Sequence, residues 1–325
     1  MSLGKMNNPL VSIIVPCYNH EKYIEDSIEG ILGQDYDNIE VLIGDDCSCD
    51  KSFDLILQNK EKLKKRFKNV ITIRNENNIG VTKNLNNLIK KSKGEYIKII
   101  ASDDILMPSA ISKFVQFSIE KNALVTISNG KAIDEDSTID NIIEIEKIYQ
   151  DSPCLNSENL LLDLFEINNI SAPCAFVNKS VFDNFGLYDE DFLIEDYEFW
   201  LRIASSRKDV FRFLDEELIY YRKSKNSMTS LENNSRLENR KIVLHDAEIK
   251  ILEKYQQEIT KQQFAYFYIK KCLNELKFAK ANQLTKLQVI AYNELKSFDG
   301  WKYEPISLRI TNYLRMIKNK PRSNG

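Results

Sequence analysis

Three pairs of adjacent carboxylates stand out in this chain: Asp45-Asp46, Asp103-Asp104 and Glu195-Asp196. Neighbouring acids repel one another, and they are stable together only where a cation, a hydrogen-bond donor or water compensates them. The first two pairs each follow a short apolar, β-prone run, which places them at strand ends where acidic side chains can converge on one crevice. A crevice of that kind suits a divalent metal ion or a sugar hydroxyl. Other chemistry is thinly represented. Cys47-Ser48-Cys49 is the only close pair among six cysteines, which a reducing compartment would keep as thiols, and it has no partner pair with which to hold zinc. His20 and His245 are single and far apart, so each reads as an ordinary satisfied or exposed histidine.

The elements that must carry these residues are legible in the pattern. Short β-branched runs alternate with helical stretches from Pro9 to about Val125, the signature of a parallel α/β sheet. The strands are expected at Ser12 to Val15, Ile39 to Ile43, Val70 to Ile73 and Tyr96 to Ile100. Between them, helices are expected over Glu21 to Leu32, Ser52 to Phe67 and Val81 to Lys91, each with apolar residues on one face. Asp134 to Asn159 is polar, acidic and poorly periodic, and reads as a loop or connecting ribbon. From about Ser235 onward the chain is rich in Lys, Glu, Leu and aromatics and reads as a helical appendage.

In open parallel sheets, ligands bind beyond the carboxyl ends of the strands. Pro16-Cys17-Tyr18-Asn19, Asp45-Asp46 and Asp103-Asp104 all belong on that rim. No Gly-x-Gly-x-x-Gly and no Gly-x-x-x-x-Gly-Lys occurs there, which argues against a dinucleotide dehydrogenase and a P-loop enzyme. With 325 residues, 43% of them hydrophobic, the chain can bury a large core. A net charge of -3 with 29% charged residues leaves no electrostatic footprint for nucleic acid. No apolar run is long enough to span a bilayer and no signal-peptide pattern opens the chain, so a cytoplasmic protein is expected.

The surroundings of the acids resemble the family 2 glycosyltransferases. The matching blocks are VSIIVPCYNHEKYIEDSIEGILGQ from Val11, IEVLIGDDCSCD from Ile39, NNIGVTKNLN from Asn77, GEYIKIIASDDILMP from Gly94 and GLYDEDFLIEDYEFWLRIA from Gly186. The resemblance implies a GT-A fold, α/β and Rossmann-like with a mostly parallel central sheet, over residues 1–230, with a helical C-terminal region over 231–325. The donor-binding half would occupy about 9–125 and the acceptor and base half about 160–230. It also implies an inverting transfer of one sugar from a nucleotide-diphosphate sugar, a UDP-sugar first, to a glycan or lipid-linked acceptor in polysaccharide biosynthesis.

Residue by residue, the resemblance places Pro16 and Tyr18 against the base, Asp46 as acceptor from the uracil ring NH, and Asn78 beside it. Ser102, Asp103 and Asp104 fall in the block that meets the diphosphate and sugar, with Asp103 as the ligand of a Mn2+ or Mg2+ ion. Asp196 is the implied base, with Glu195 as its alternative. Both acids could equally serve a helix N-terminus. Three positions depart from the pattern. Ala101 replaces the first acid of the Asp-x-Asp motif, Leu85 replaces a basic residue for which Lys83 could substitute, and Ser224 replaces a histidine that contributes to the metal. A binding module that holds a nucleotide sugar without turning it over is therefore the competing reading. No Gln-x-x-Arg-Trp sequence occurs, so a processive synthase is not expected. Near the C-terminus, Ile306, Ile310, Tyr313, Leu314 and Ile317 share one helical face with basic residues nearby. Two uses fit that face: peripheral contact with the inner side of an anionic membrane, or packing against the protein or a second copy.

Overall fold

The computed structural model describes residues 8–151, 153, 155, 159–207, 209–224 and 237–299. The chain divides into two compact units, residues 1–190 with 195–224, and residues 191–194 with 225–325. The first is built from β1 (Val11–Cys17), α1 (Ile24–Leu32), β2 (Ile39–Asp45), α2 (Ser52–Arg66), β3 (Asn69–Arg74), α3 (Val81–Lys91), β4 (Tyr96–Ile99), β5 (Ile105–Leu106) and α4 (Ala110–Lys121). It continues through β6 (Val125–Asp134), β7 (Glu144–Lys147), α5 (Leu160–Glu166), β8 (Ala175–Asn178), α6 (Ser180–Phe185), α7 (Glu195–Ser206) and β9 (Phe211–Lys223).

These strands make one sheet in the order β3-β2-β1-β4-β8-β6-β9-β5, with β7 paired to β6. Its first four strands are parallel, Val11 opposite both Ile39 and Tyr96. Strand β8 then runs antiparallel between β4 and β6, and β9 lies parallel to β6. β1 and β2 are covered on both faces, which is why VSIIV and IEVLI read as continuous apolar runs instead of alternating. Ile24, Ile28 and Ile31 of α1 and Ile56 and Leu63 of α2 pack into the core beside Ile13, Val15, Val41 and Ile43. α3 crosses β2 closely at Gly44, where an added Cβ would stand 2.6 Å from Asn84 Oδ1 and 2.9 Å from Leu88 Cδ1. Only glycine fits there, and the end of β2 is held at a fixed height under the rim.

The four predicted strands and three predicted helices of the first 125 residues all form, with one shift. Helix α1 starts at Ile24 instead of Glu21 because the residues before it are engaged elsewhere. Asn19 N donates to Ser48 Oγ (2.9 Å), His20 N to Ser52 Oγ (2.8 Å) and Glu21 N to Asp50 Oδ2 (3.0 Å), while Cys49 N and Lys51 N donate back to Asn19 and Glu21. The rim loops after β1 and β2 are thereby laced into one surface. The stretch 134–159, expected as a loop or ribbon, contains the edge strand β7, whose four residues are all exposed. It has no buried face to leave a periodicity, and it is held by main-chain pairing plus ion pairs such as Lys131 with Glu144 (2.7 Å) and Lys147 with Glu217 (2.9 Å).

The described part of the second unit contains three helices, α8 (Leu237–Lys254), α9 (Lys261–Ala281) and α10 (Thr285–Ser297). Thr260 and Gln263 form a reciprocal capping box at the start of α9. Glu238 of α8 accepts from Lys286 N (2.6 Å) at the start of α10, and Lys241 pairs with Glu275 (3.2 Å) and Lys271 with Glu248 (2.9 Å) between α8 and α9. No helix among the described residues is long and apolar enough to cross a membrane. The amphipathic face expected at residues 306–317 lies outside the described residues.

Candidate active site

The ends of β1, β2 and β4 bring the first two acidic pairs to one rim. Asp46 is nearly fully buried and its carboxylate is heavily used: Asn75 Nδ2 (2.9 Å) and Ile79 N (2.9 Å) donate to Oδ1, and Gly80 N (2.8 Å) donates to Oδ2. Three of its roughly four lone-pair positions are thus engaged by the turn that precedes α3. Gly80, at φ +88°, supplies the backbone conformation that lets the turn present both amides. Asn78, exposed in the same turn, also accepts from Gly80 N (3.1 Å), and Lys83 is exposed on the first turn of α3. Asp45 is fully buried, accepts from Ser48 N (3.0 Å) and lies 3.5 Å from Arg74 Nε, while its Oδ1 has no hydrogen-bond partner. Tyr18 is 43% exposed, an amphipathic ring left uncovered on the rim.

Asp103 and Asp104 occupy the tight turn between β4 and β5, and their environments differ sharply. Asp104 is buried and accepts from Arg222 N (2.9 Å); burial, and then the charge of Asp103, push its carboxyl well above the ordinary range. Asp103 keeps a carboxylate that is 22% accessible and makes no hydrogen bond among the described residues. Its Oδ1 lies 4.0 Å from His20 Nδ1, which is itself 2.7 Å from the hydroxyl of buried Ser102. An uncommitted carboxylate facing an imidazole is a donor set that fits a hard or borderline divalent cation.

Two contributors to this site are defined by contacts between residues far apart in the sequence. His20 reaches Ser102 and Asp103 from the loop after β1, across 82 residues for the Ser102 contact. Arg222, buried near the end of β9, donates from Nε to Asp103 O (2.8 Å) and from Nη1 to Ser137 O (2.6 Å). Its guanidinium also lies 3.6 Å from Asp26 Oδ2 and stacks over Tyr23 at 4.8 Å. It therefore fixes the Asp103-Asp104 turn through backbone and charge at once. A Tyr-Arg pair after a strand was the available clue, but the contact that gives it meaning spans 119 residues.

The third pair begins α7. Glu195 and Asp196 are half-buried, and Asp196 Oδ1 accepts from the backbone N of Tyr197 (2.8 Å). Loss of water raises both carboxyls, Glu195 to about 7, with the charge of Asp196 as the second cause, and Asp196 to about 6. These values belong to the pair, which shares its titration. Both acids border a cavity of about 140 Å³ whose other walls include Pro16, Leu85, Ala101, Pro173 and Tyr188. The rim residue Pro16, the two departures Leu85 and Ala101, and the third acidic pair thus meet around one space. Buried Lys98 holds part of its wall, donating to Ala175 O (3.1 Å) and Pro173 O, and burial pulls its ammonium down to about 8.

Residues 12–186 match the family described as Glycosyl transferase family 2. The chain belongs to that family. It is 31% identical over 242 residues to an uncharacterized glycosyltransferase of Haemophilus influenzae, covering 72% of each chain. The structure of S. aureus TarS 1-349 in complex with UDP-GlcNAc superposes with a TM-score of 0.62 at 19% identity, covering 95% of this chain and 89% of that one. A mannosyltransferase, PcManGT from Pyrobaculum calidifontis in complex with GDP-Man and Mn2+, gives a TM-score of 0.57 at 14% identity, covering 97% and 88%. The resemblance read from the five sequence blocks is borne out, and the α/β unit has the GT-A fold with a helical C-terminal region.

Proposed function

We propose that this family 2 glycosyltransferase moves one sugar, with inversion, from a nucleotide-diphosphate sugar to a hydroxyl of a glycan or lipid-linked acceptor. The observation that carries this reading is the single cavity joining Pro16 and Ala101 to a carboxylate pair whose proton affinity is raised toward neutrality. The acceptor hydroxyl attacks the anomeric carbon, its oxygen forming the new bond as the bond to the diphosphate oxygen breaks. Asp196 takes the hydroxyl proton, and the bonding pair leaves with the diphosphate. A base with a pKa near the operating pH both exists as carboxylate and holds the proton it receives.

Tyr18, Pro16 and the turn held by Asp46 are assigned to the base. A UDP-sugar is the donor class, supported by the bound ligand of the TarS structure. Asp103, with His20 opposite, would hold a Mn2+ or Mg2+ ion, which when bound neutralises charge on the departing diphosphate. Asp104 and Ser102 tie that turn to Arg222 and His20, and Lys83, exposed on the first turn of α3, is assigned to the diphosphate in place of the basic residue that Leu85 replaces.

The second reading, a donor-binding module without turnover, draws on Ala101 and Leu85, which leave the cavity wall apolar where the family pattern has charge. Release of nucleotide diphosphate from a panel of donors, with and without Asp196→Asn, separates the two. An active enzyme should lose roughly 10²- to 10⁴-fold in turnover while donor affinity holds. Donor-dependent thermal stabilisation without any released diphosphate in the unsubstituted protein would favour the module.

A further inference from the structure

The helical unit contains a second place where ligating atoms converge. His245 of α8, Cys272 of α9 and Glu294 of α10 each contribute one atom, and the three lie within 4.8 Å of one another. His245 Nε2 is 2.6 Å from Glu294 Oε2, and Cys272 Sγ is 3.7 Å from the same oxygen. The histidine and cysteine side chains are fully buried, while Glu294 is 28% accessible and opens the cluster to solvent. The residues are far apart in sequence and one comes from each helix, so no ligand spacing announces them.

We propose that His245, Cys272 and Glu294 form a zinc-class metal site that ties α8, α9 and α10 together. An imidazole lone pair, a sulfur and a carboxylate oxygen pointing at one spot need a shared positive centre, which is either protons or a metal. Thiolate, imidazole and carboxylate together select a borderline-soft divalent ion such as Zn2+ over the hard ions suited to Asp103. A tetrahedral ion with bonds of about 2.0 to 2.3 Å sets its ligand atoms about 3.3 to 3.7 Å apart. The sulfur and carboxylate already have that separation, and the imidazole and carboxylate need to part by less than about 1 Å. His245 Nδ1 is buried with no hydrogen-bond partner, while Nε2, 2.6 Å from a carboxylate oxygen that can only accept, carries the shared proton before an ion binds. Nε2 presents its lone pair once the ion displaces that proton and the ring N–H passes to Nδ1. Binding forms bonds from the ion to Nε2, Sγ and a carboxylate oxygen, with water at the fourth position through the open side. The thiol proton passes to solvent, and the neutral imidazole keeps its one proton, which moves from Nε2 to Nδ1.

The role follows from the geometry. One ligand from each of three helices cross-links a small bundle, and ion binding adds directly to its stability. This site is independent of donor chemistry. Titration of the full-length metal-free chain with Co2+ should give one equivalent of tight binding with sulfur-to-cobalt charge-transfer absorption in the near ultraviolet. Zn2+ should displace the cobalt and raise the melting temperature. Cys272→Ser should abolish the charge-transfer band and weaken Zn2+ binding by about tenfold or more, whereas Asp103→Ala should leave both unchanged. Absence of the band in the unsubstituted chain overturns the proposal. So does its persistence in Cys272→Ser, which would place the ion on another cysteine of the chain. Because His245→Ala risks unfolding the buried core, the serine variant, close in volume, carries the test.

Discussion

Asp103 and His20 offer a cation two kinds of ligand atom 4.0 Å apart, and only the acid was expected from the sequence. Adjacent acids at strand ends advertise themselves because repulsion makes them costly where they are buried, whereas a lone histidine is chemically silent until the fold gives it a neighbour. Ser224 stands where the family pattern has a histidine, and under the proposed reading His20 would supply an imidazole from the loop after β1. The nitrogen that faces Asp103 is the one 2.7 Å from Ser102 Oγ, so an ion bound at Nδ1 would replace that hydrogen bond. His20→Ala should weaken Mn2+ affinity in the presence of donor by roughly tenfold, and Asp103→Ala should abolish it. Manganese paramagnetic resonance measures both without relying on turnover. Equal affinity in His20→Ala and the unsubstituted chain would return His20 to a purely structural role.

At the scale of elements, local and distant information separate cleanly. The parallel half was legible because its central strands β1 and β2 are buried on both faces and α3 shows one apolar side. The pairing of β6 with β9 was not, since it joins residues 125–134 to 211–223 by a parallel register that no local pattern encodes. The turn at 77–80 belongs between these extremes: its Asn-Asn-Ile-Gly sequence signals a turn, but Asp46 decides its shape. An acid that accepts two backbone amides is a mould for the loop, and any base it touches would be read through that moulded surface. Asp46→Ala removes the acceptor of Ile79 N and one of the two acceptors of Gly80 N in a partly exposed turn, at a cost of about 1 kcal/mol. Hydrogen exchange should show protection lost at Ile79 and Gly80 while the β1 and β2 amides stay protected, and donor affinity should fall with it. Unchanged exchange at those two amides would detach the loop from Asp46.

For the whole molecule, the Glu195-Asp196 pair links activity and stability to the same proton. Both carboxyls are raised by burial, so the folded protein holds protons that the unfolded chain has already released between about pH 4 and 7. Stability from this pair is therefore greatest in acid and is lost as pH rises through that window, the reverse of an acid stabilised by a salt bridge. Turnover should move the other way, because Asp196 as the proposed base must be ionised to receive a proton, and should climb with an apparent pKa between about 6 and 7. Glu195→Gln removes one charge and the repulsion with it. That variant should be more stable than the parent at pH 8 by roughly 1–3 kcal/mol, equal to it near pH 4, and should carry its turnover limb at lower pH. Melting curves and diphosphate release over pH 5 to 8 measure the two trends on one sample. Parallel trends, with both rising or both falling, would show that the groove is wet enough to leave these carboxylates at their ordinary values. Opposed trends would mean that the fold gives up stability at neutral pH to keep a base of useful strength beside the cavity.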